Sequence, residues 1–127
     1  MTHSPAKQPK PDPTSFLPLQ PAVFHILLAL GDGEKHGYAI KREIARRTDN
    51  TVRLGPATLY GSIKRMLAQQ MIEESDERPD FSLDDERRRY YRITNLGQRV
   101  AAAEVERMKS LISLARLKRM TRAPESS

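Results

Sequence analysis

Gly55-Pro-Ala-Thr-Leu-Tyr-Gly-Ser-Ile-Lys-Arg-Met-Leu-Ala-Gln-Gln70 is the stretch from which the rest of the chain can be read. Its spacing predicts a single helix. Gly55 supplies the turn, and Pro56 suits the first helical position, where a missing N–H costs nothing. Leu59, Ile63, Met66 and Leu67 recur at helical spacing and form one apolar stripe. The opposite face carries Ala57, Thr58, Gly61, Lys64, Arg65 and Ala68. Small side chains let a helix approach a partner surface, and Lys and Arg can reach phosphates or base edges. Taken alone, the same face also fits an ordinary solvated helix.

Composition narrows the classes. The chain has 127 residues, enough for one domain with tails, and 38% of them are apolar. That fraction is low for a compact globule, which fits polar ends and a core completed by a partner chain. There are no cysteines, so disulfides and thiolate metal sites are excluded. No apolar run approaches the roughly 20 residues of a membrane span, and no secretory leader is evident, so a cytoplasmic location away from membranes is expected. The net charge of +6 favours a polyanionic partner.

Outward from the central helix the chain divides into segments. Residues 1–17 hold Pro5, Pro9, Pro11 and Pro13 among Lys, Ser and Thr, and read as a disordered arm. A first helix is expected from Gln20 to Leu30, with Val23, Ile26, Leu27 and Leu30 on one face and Gly31-Asp-Gly33 ending it. Phe24 and Leu28 widen its apolar surface, as if a second subunit covered another side. His25 has no second ligand at helical spacing, so it reads as a satisfied structural histidine and not a metal ligand. A second helix, His36 to Thr48, is strongly basic through Lys41, Arg42, Arg46 and Arg47, and Asp49-Asn50 breaks it. The brief alternation Thr51-Val-Arg-Leu54 suggests a minimal strand.

Beyond Gln70 the period changes. Met71–Ser75 and Arg89–Thr94 have the character of two short strands, joined by a polar stretch that is acidic at Asp76, Glu77, Asp80, Asp84, Asp85 and Glu86. Thr94 can cap a helix from Asn95 to about Met120, with a disordered tail at 121–127. Val105, Met108, Ile112 and Ala115 follow a four-three spacing, and Leu111, Leu114 and Leu117 extend the apolar surface round a second side. A three-helix core cannot cover so long a helix, so its spare surface asks for the same helix of another copy.

Helices followed by a two-stranded hairpin describe a mainly α winged helix-turn-helix spanning 18–94, with 95–120 as a C-terminal dimerisation helix. The blocks His36-Gly-Tyr38, Gly55-Pro-Ala-Thr-Leu-Tyr60, Ile63-Lys-Arg-Met-Leu67 and Arg89-Tyr-Tyr-Arg-Ile-Thr-Asn-Leu-Gly97 resemble the PadR family of bacterial transcriptional regulators. The likeness covers about residues 18–100. It implies a homodimeric repressor on a roughly palindromic double-stranded DNA operator, dimerised by its last helix. It also implies that Tyr38, Thr58 and Tyr60 match family positions at the DNA, although Ala57 stands where Gly is common and Gly61 where Pro is common. Some relatives sandwich flat drugs between tryptophans, and this chain has none. A small-molecule inducer is compatible with the resemblance, but its identity is not legible.

Tyr38, Lys41, Thr58, Tyr60, Lys64, Arg65, Arg87, Arg88 and Arg89 are therefore the candidate DNA contacts, and Val105, Met108, Leu111, Ile112, Leu114 and Ala115 the candidate dimer contacts. Alternatives stay open at several of them. Tyr38 and Tyr60 also fit the edge of a core, and Arg87–Arg89 also fit pairing with the wing's own carboxylates. A winged helix used only for protein contacts is the competing function. Catalysis is disfavoured, because His3, His25 and His36 are scattered and no Gly-rich phosphate loop follows a strand. No cofactor or metal is expected.

Overall fold

The computed structural model describes residues 11–75 and 89–122. Four helices, α1 (Pro21–Ala29), α2 (Gly37–Arg47), α3 (Pro56–Ala68) and α4 (Asn95–Leu117), accompany a small antiparallel sheet of β1 (Lys35–His36), β2 (Ile72–Glu74) and β3 (Tyr90–Ile93). The acidic loop, Arg87, Arg88 and residues 1–10 and 123–127 lie outside the described residues.

Local chemistry explains where the helices start and stop. Pro21 and Pro56 occupy first turns, while the Thr94 hydroxyl accepts from the Gly97 N–H and caps α4. The α2 cap is a histidine: His36 Nδ1 accepts from the Ala39 N–H at 3.1 Å. Helix α2 ends where Asp49 and Asn50 both adopt left-handed conformations, with φ of 51° and 62°. Their N–H groups close back on the carbonyls of Arg46 and Ala45, the paired bonds of a Schellman end. Gln70 ends α3 in the same way, with its N–H on the Leu67 carbonyl and that of Met71 on Met66.

The core gathers Val23, Ile26, Leu27 and Leu30 from α1, Ile40 and Ile44 from α2, and Leu59, Ile63 and Met66 from α3. Met71, Ile72, Tyr91 and Val100 close it from the sheet and α4. The expected inner stripe of α3 is therefore the buried one, with Leu67 at its margin.

In the sheet, β3 lies between β1 and β2, pairing Lys35 with Tyr91 on one side and Glu73 with Arg92 on the other. The strand expected at Thr51–Leu54 is absent, and the extra strand comes before α2 instead. Val52 and Leu54 do point inward, which is the alternation the sequence shows. Their backbone, however, is committed to the end of α2: the Val52 N–H donates to Thr48 Oγ1 and the Thr51 N–H to the Thr48 carbonyl. Alternation reported burial there, and the free edge of β3 went to Lys35 and His36.

Two further expectations need correction. Residues 11–17 were expected to belong to a disordered arm. Instead, Pro13–Phe16 form a short 3-10 helix capped by Asp12, and Phe16, Leu17 and Leu19 pack on the core. His25, expected to be satisfied, keeps its Nδ1 buried with no hydrogen-bond partner among the described residues. Burial, with the charge of Arg47 added, lowers its pKa from the ordinary 6.5 and so favours the neutral ring.

Helix α4 belongs to the core only in its first half. Gly97, Val100 and Glu104 are its buried residues, and beyond Glu104 it runs on for roughly 20 Å at 1.5 Å per residue with none buried. Among the described residues, no helix is long and apolar enough to cross a membrane.

Candidate nucleic-acid interface

The outward face of α3 has the composition that suits a groove. Ala57, Thr58, Lys64, Arg65 and Ala68 are exposed, and Gly61 is half-buried. Lys64 has no carboxylate partner among the described residues, and Arg65 makes only a 3.4 Å contact, from Nη2 to the Ser62 hydroxyl. Both cations therefore keep their charge available on the side opposite Leu59, Ile63 and Met66.

Tyr60 sits elsewhere. Its ring is half-buried against the first turn of α2, where Gly37 makes room for it: a methyl on Gly37 would lie 2.8 Å from the ring. Such a contact sets how the starts of α2 and α3 meet, so the geometry of Tyr60 is that of a spacer between helices. The sequence left this possibility open, and the Gly37–Tyr60 contact joins two of the blocks that carried the family likeness.

Tyr38, next to Gly37, is half-exposed at 50%. The Arg42 guanidinium stands 5.7 Å from its ring centroid, one helical turn on. Lys41 is half-buried beside them, and Arg46 and Arg53 are exposed. Arg47 is less available, because it pairs with Glu43 at 2.7 Å and reaches the His25 carbonyl.

At the base of the wing the balance differs. Arg89 lies 3.8 Å from Glu74, and Arg92 lies 2.7 Å from Glu73, its neighbour in register across the strands. Of the expected wing contacts, Arg89 thus has a carboxylate from β2, and Arg87 and Arg88 are outside the described residues. Charge counting along the sequence could not find these pairs, which depend on the register of β2 against β3.

The proposed dimer residues cluster on the free half of α4. Val105, Leu111, Ile112 and Leu114 are exposed, with Leu117 and Met120 beyond them, and Met108 and Ala115 are half-buried. Leu28, on α1, is exposed as well. Sequence reasoning missed Glu104, a buried carboxylate in the inner stripe of α4 one turn after Val100. Its place one helical turn after the apolar Val100 was the available signal.

A groove of about 670 Å³ opens between the end of α3, β2 and the start of α4. Its lining mixes Leu67, Ile72 and Leu96 with Glu73 and Arg99, and singles out no ligand chemistry. Among the described residues, no three His, Asp or Glu side chains converge as a metal site would need.

Three helices packed on an antiparallel wing, with the third presenting a small, cationic outer face, define a winged helix-turn-helix. The chain belongs to the transcriptional regulator PadR-like family, whose model matches residues 26–103. A transcriptional regulator from Clostridium thermocellum has a similar structure, with a TM-score of 0.62 and 26% identity over 74% of this chain and 88% of that one. Uncharacterized protein X of Lysinibacillus sphaericus is 38% identical over 73 residues, 58% of this chain and 64% of that protein. A 37.1 kDa protein from transposon TN4556 of Streptomyces fradiae is 34% identical over 86 residues. The chain thus spans less than two thirds of both relatives, and only 22% of the second.

Proposed function

We propose that the protein is a sequence-specific DNA-binding transcriptional regulator, acting as a homodimeric repressor on a palindromic operator. The observation that carries this reading is the outer face of α3. There, Thr58, Lys64 and Arg65 are exposed opposite the buried Leu59, Ile63 and Met66, and neither cation has a carboxylate partner among the described residues. A helix so placed can enter the major groove while the preceding helix crosses the backbone. The unburied second half of α4 supports the dimer, because Val105, Leu111, Ile112 and Leu114 are left exposed by the other described residues. A two-fold dimer would read two half-sites about 34 Å apart, one helical turn of DNA.

Titration of the whole chain into a fluorescent duplex from its own promoter region, beside a random duplex, tests the reading at several salt concentrations. Preference for the promoter duplex, with affinity falling steeply as salt rises, is the expected result. Equal and salt-insensitive binding to both would remove the DNA-binding reading and favour a protein-contact module.

A further inference from the structure

The cations of this chain differ in what already neutralises them. Arg47, Arg89, Arg92 and Arg107 each lie within ion-pair distance of a glutamate. Arg42 has no such partner among the described residues, and its guanidinium is held over the Tyr38 ring instead. The two environments have opposite consequences for binding a polyanion. A carboxylate partner must be displaced or carried to the phosphate along with the arginine. An aromatic face leaves the full charge and the N–H edge of the guanidinium available, and it restricts where the group points.

The position of the pair is fixed independently. The Tyr60 ring occupies the space over Gly37, which brings the start of α2 against the first turns of α3. Tyr38 follows Gly37 directly, and Tyr38 and Arg42 are both exposed on the first two turns of α2. In a helix-turn-helix, the helix before the recognition helix crosses the phosphates at the groove's edge.

We infer that Arg42, positioned by Tyr38, is a phosphate-contacting cation of α2, and that Arg92 at the base of the wing contributes no comparable contact. The inference rests on the DNA-binding reading above and assigns its sequence-independent part to a residue pair.

The experiment is a fluorescence titration of full-length wild type, Arg42→Ala, Arg42→Lys, Tyr38→Leu and Arg92→Ala on promoter and random duplexes over a salt series. Circular dichroism confirms that each variant is folded. Arg42→Ala should weaken both duplexes by the same factor and lower the slope of log affinity against log salt by about 1. Arg42→Lys keeps the charge and should keep the slope. Tyr38→Leu should weaken both duplexes about threefold, the size of an exposed cation–π contact. Arg92→Ala should leave the slope at its wild-type value. A wild-type slope for Arg42→Ala, or a loss of about 1 for Arg92→Ala, overturns the assignment while leaving DNA binding intact. Absence of salt-dependent duplex binding by the wild type removes the DNA-binding reading itself.

Discussion

The backbone N–H of Leu19 donates to Glu104 Oε2 at 3.0 Å, tying the segment ahead of α1 to the middle of α4. Glu104 is only 1% exposed, and Arg107, one turn further on, binds both of its carboxylate oxygens. A buried carboxylate persists only when its oxygens are satisfied in this way. The contact lies at the last buried turn of α4, where the helix leaves the core. It therefore anchors the lever on which the free half of α4 is mounted.

Removing that carboxylate should loosen the anchor. Glu104→Ala leaves the Leu19 N–H without its acceptor and should lower stability by about 2 kcal/mol, the usual size for a hydrogen bond to a charged group. Hydrogen bonds from Arg107, with that from Leu19, hold the Glu104 carboxyl below its ordinary 4.5. Its contribution is therefore complete above pH 4.5 and is lost as pH falls through the lower, folded-state value. Urea unfolding of wild type and Glu104→Gln should accordingly differ most at neutral pH and converge in acid. A gap that widens in acid would mean the carboxylate is not stabilising.

Gly97 is predicted to tolerate no side chain. A methyl there would run into the Met71 carbonyl oxygen and lie 2.8 Å from Ile93 Cγ1. The same carbonyl accepts from the Thr94 N–H, so the junction of α4 and β2 has little freedom to yield. Gly97→Ala should cost about 3 kcal/mol in urea unfolding, at the upper end for overpacking. A wild-type midpoint would show that the junction can move apart.

Dimerisation through α4 is best tested by substitution. Truncation after Gly97 would delete Val100 and Glu104, both buried, and so confuse loss of the dimer with loss of the core. Leu111 and Ile112 are about half exposed, at 51% and 49%, so charges there should spare the fold of the single chain. The double variant Leu111→Glu, Ile112→Glu should sediment as a folded monomer. If it remains a dimer, the interface lies elsewhere.

Lys64→Ala and Arg65→Ala should weaken operator binding without loss of stability, since both side chains lie opposite the buried stripe. A bidentate base contact by Arg65 would be worth about 1–3 kcal/mol on the operator alone. A phosphate contact would weaken operator and random duplex alike and lower the salt slope by about 1. Unchanged binding by both variants would show that this face of α3 is not the one that meets DNA.

Much of this molecule is legible in the sequence because much of it is local. The stripe of Leu59, Ile63 and Met66, Pro56 at the start of α3, the Asp49-Asn50 stop and the Thr94 cap depend on residues within one or two turns, and all stand in the structure. Apolar periodicity likewise marked α4 as longer than its core could cover. What the tertiary structure decided depends on partners distant in the chain. Residues 11–17 look too polar and proline-rich to order themselves, yet the core supplies through Phe16 and Leu17 the contacts that their own composition lacks. Thr51–Leu54 alternates as a strand should, but Thr48 takes its backbone bonds and β3 pairs with Lys35 and His36. Arg89 fits either a DNA contact or a pairing within the wing until the register of β2 sets Glu74 beside it, as it sets Glu73 beside Arg92. Helix periodicity is a property of neighbours in sequence. Strand pairing and charge pairing are settled only once the chain has closed on itself.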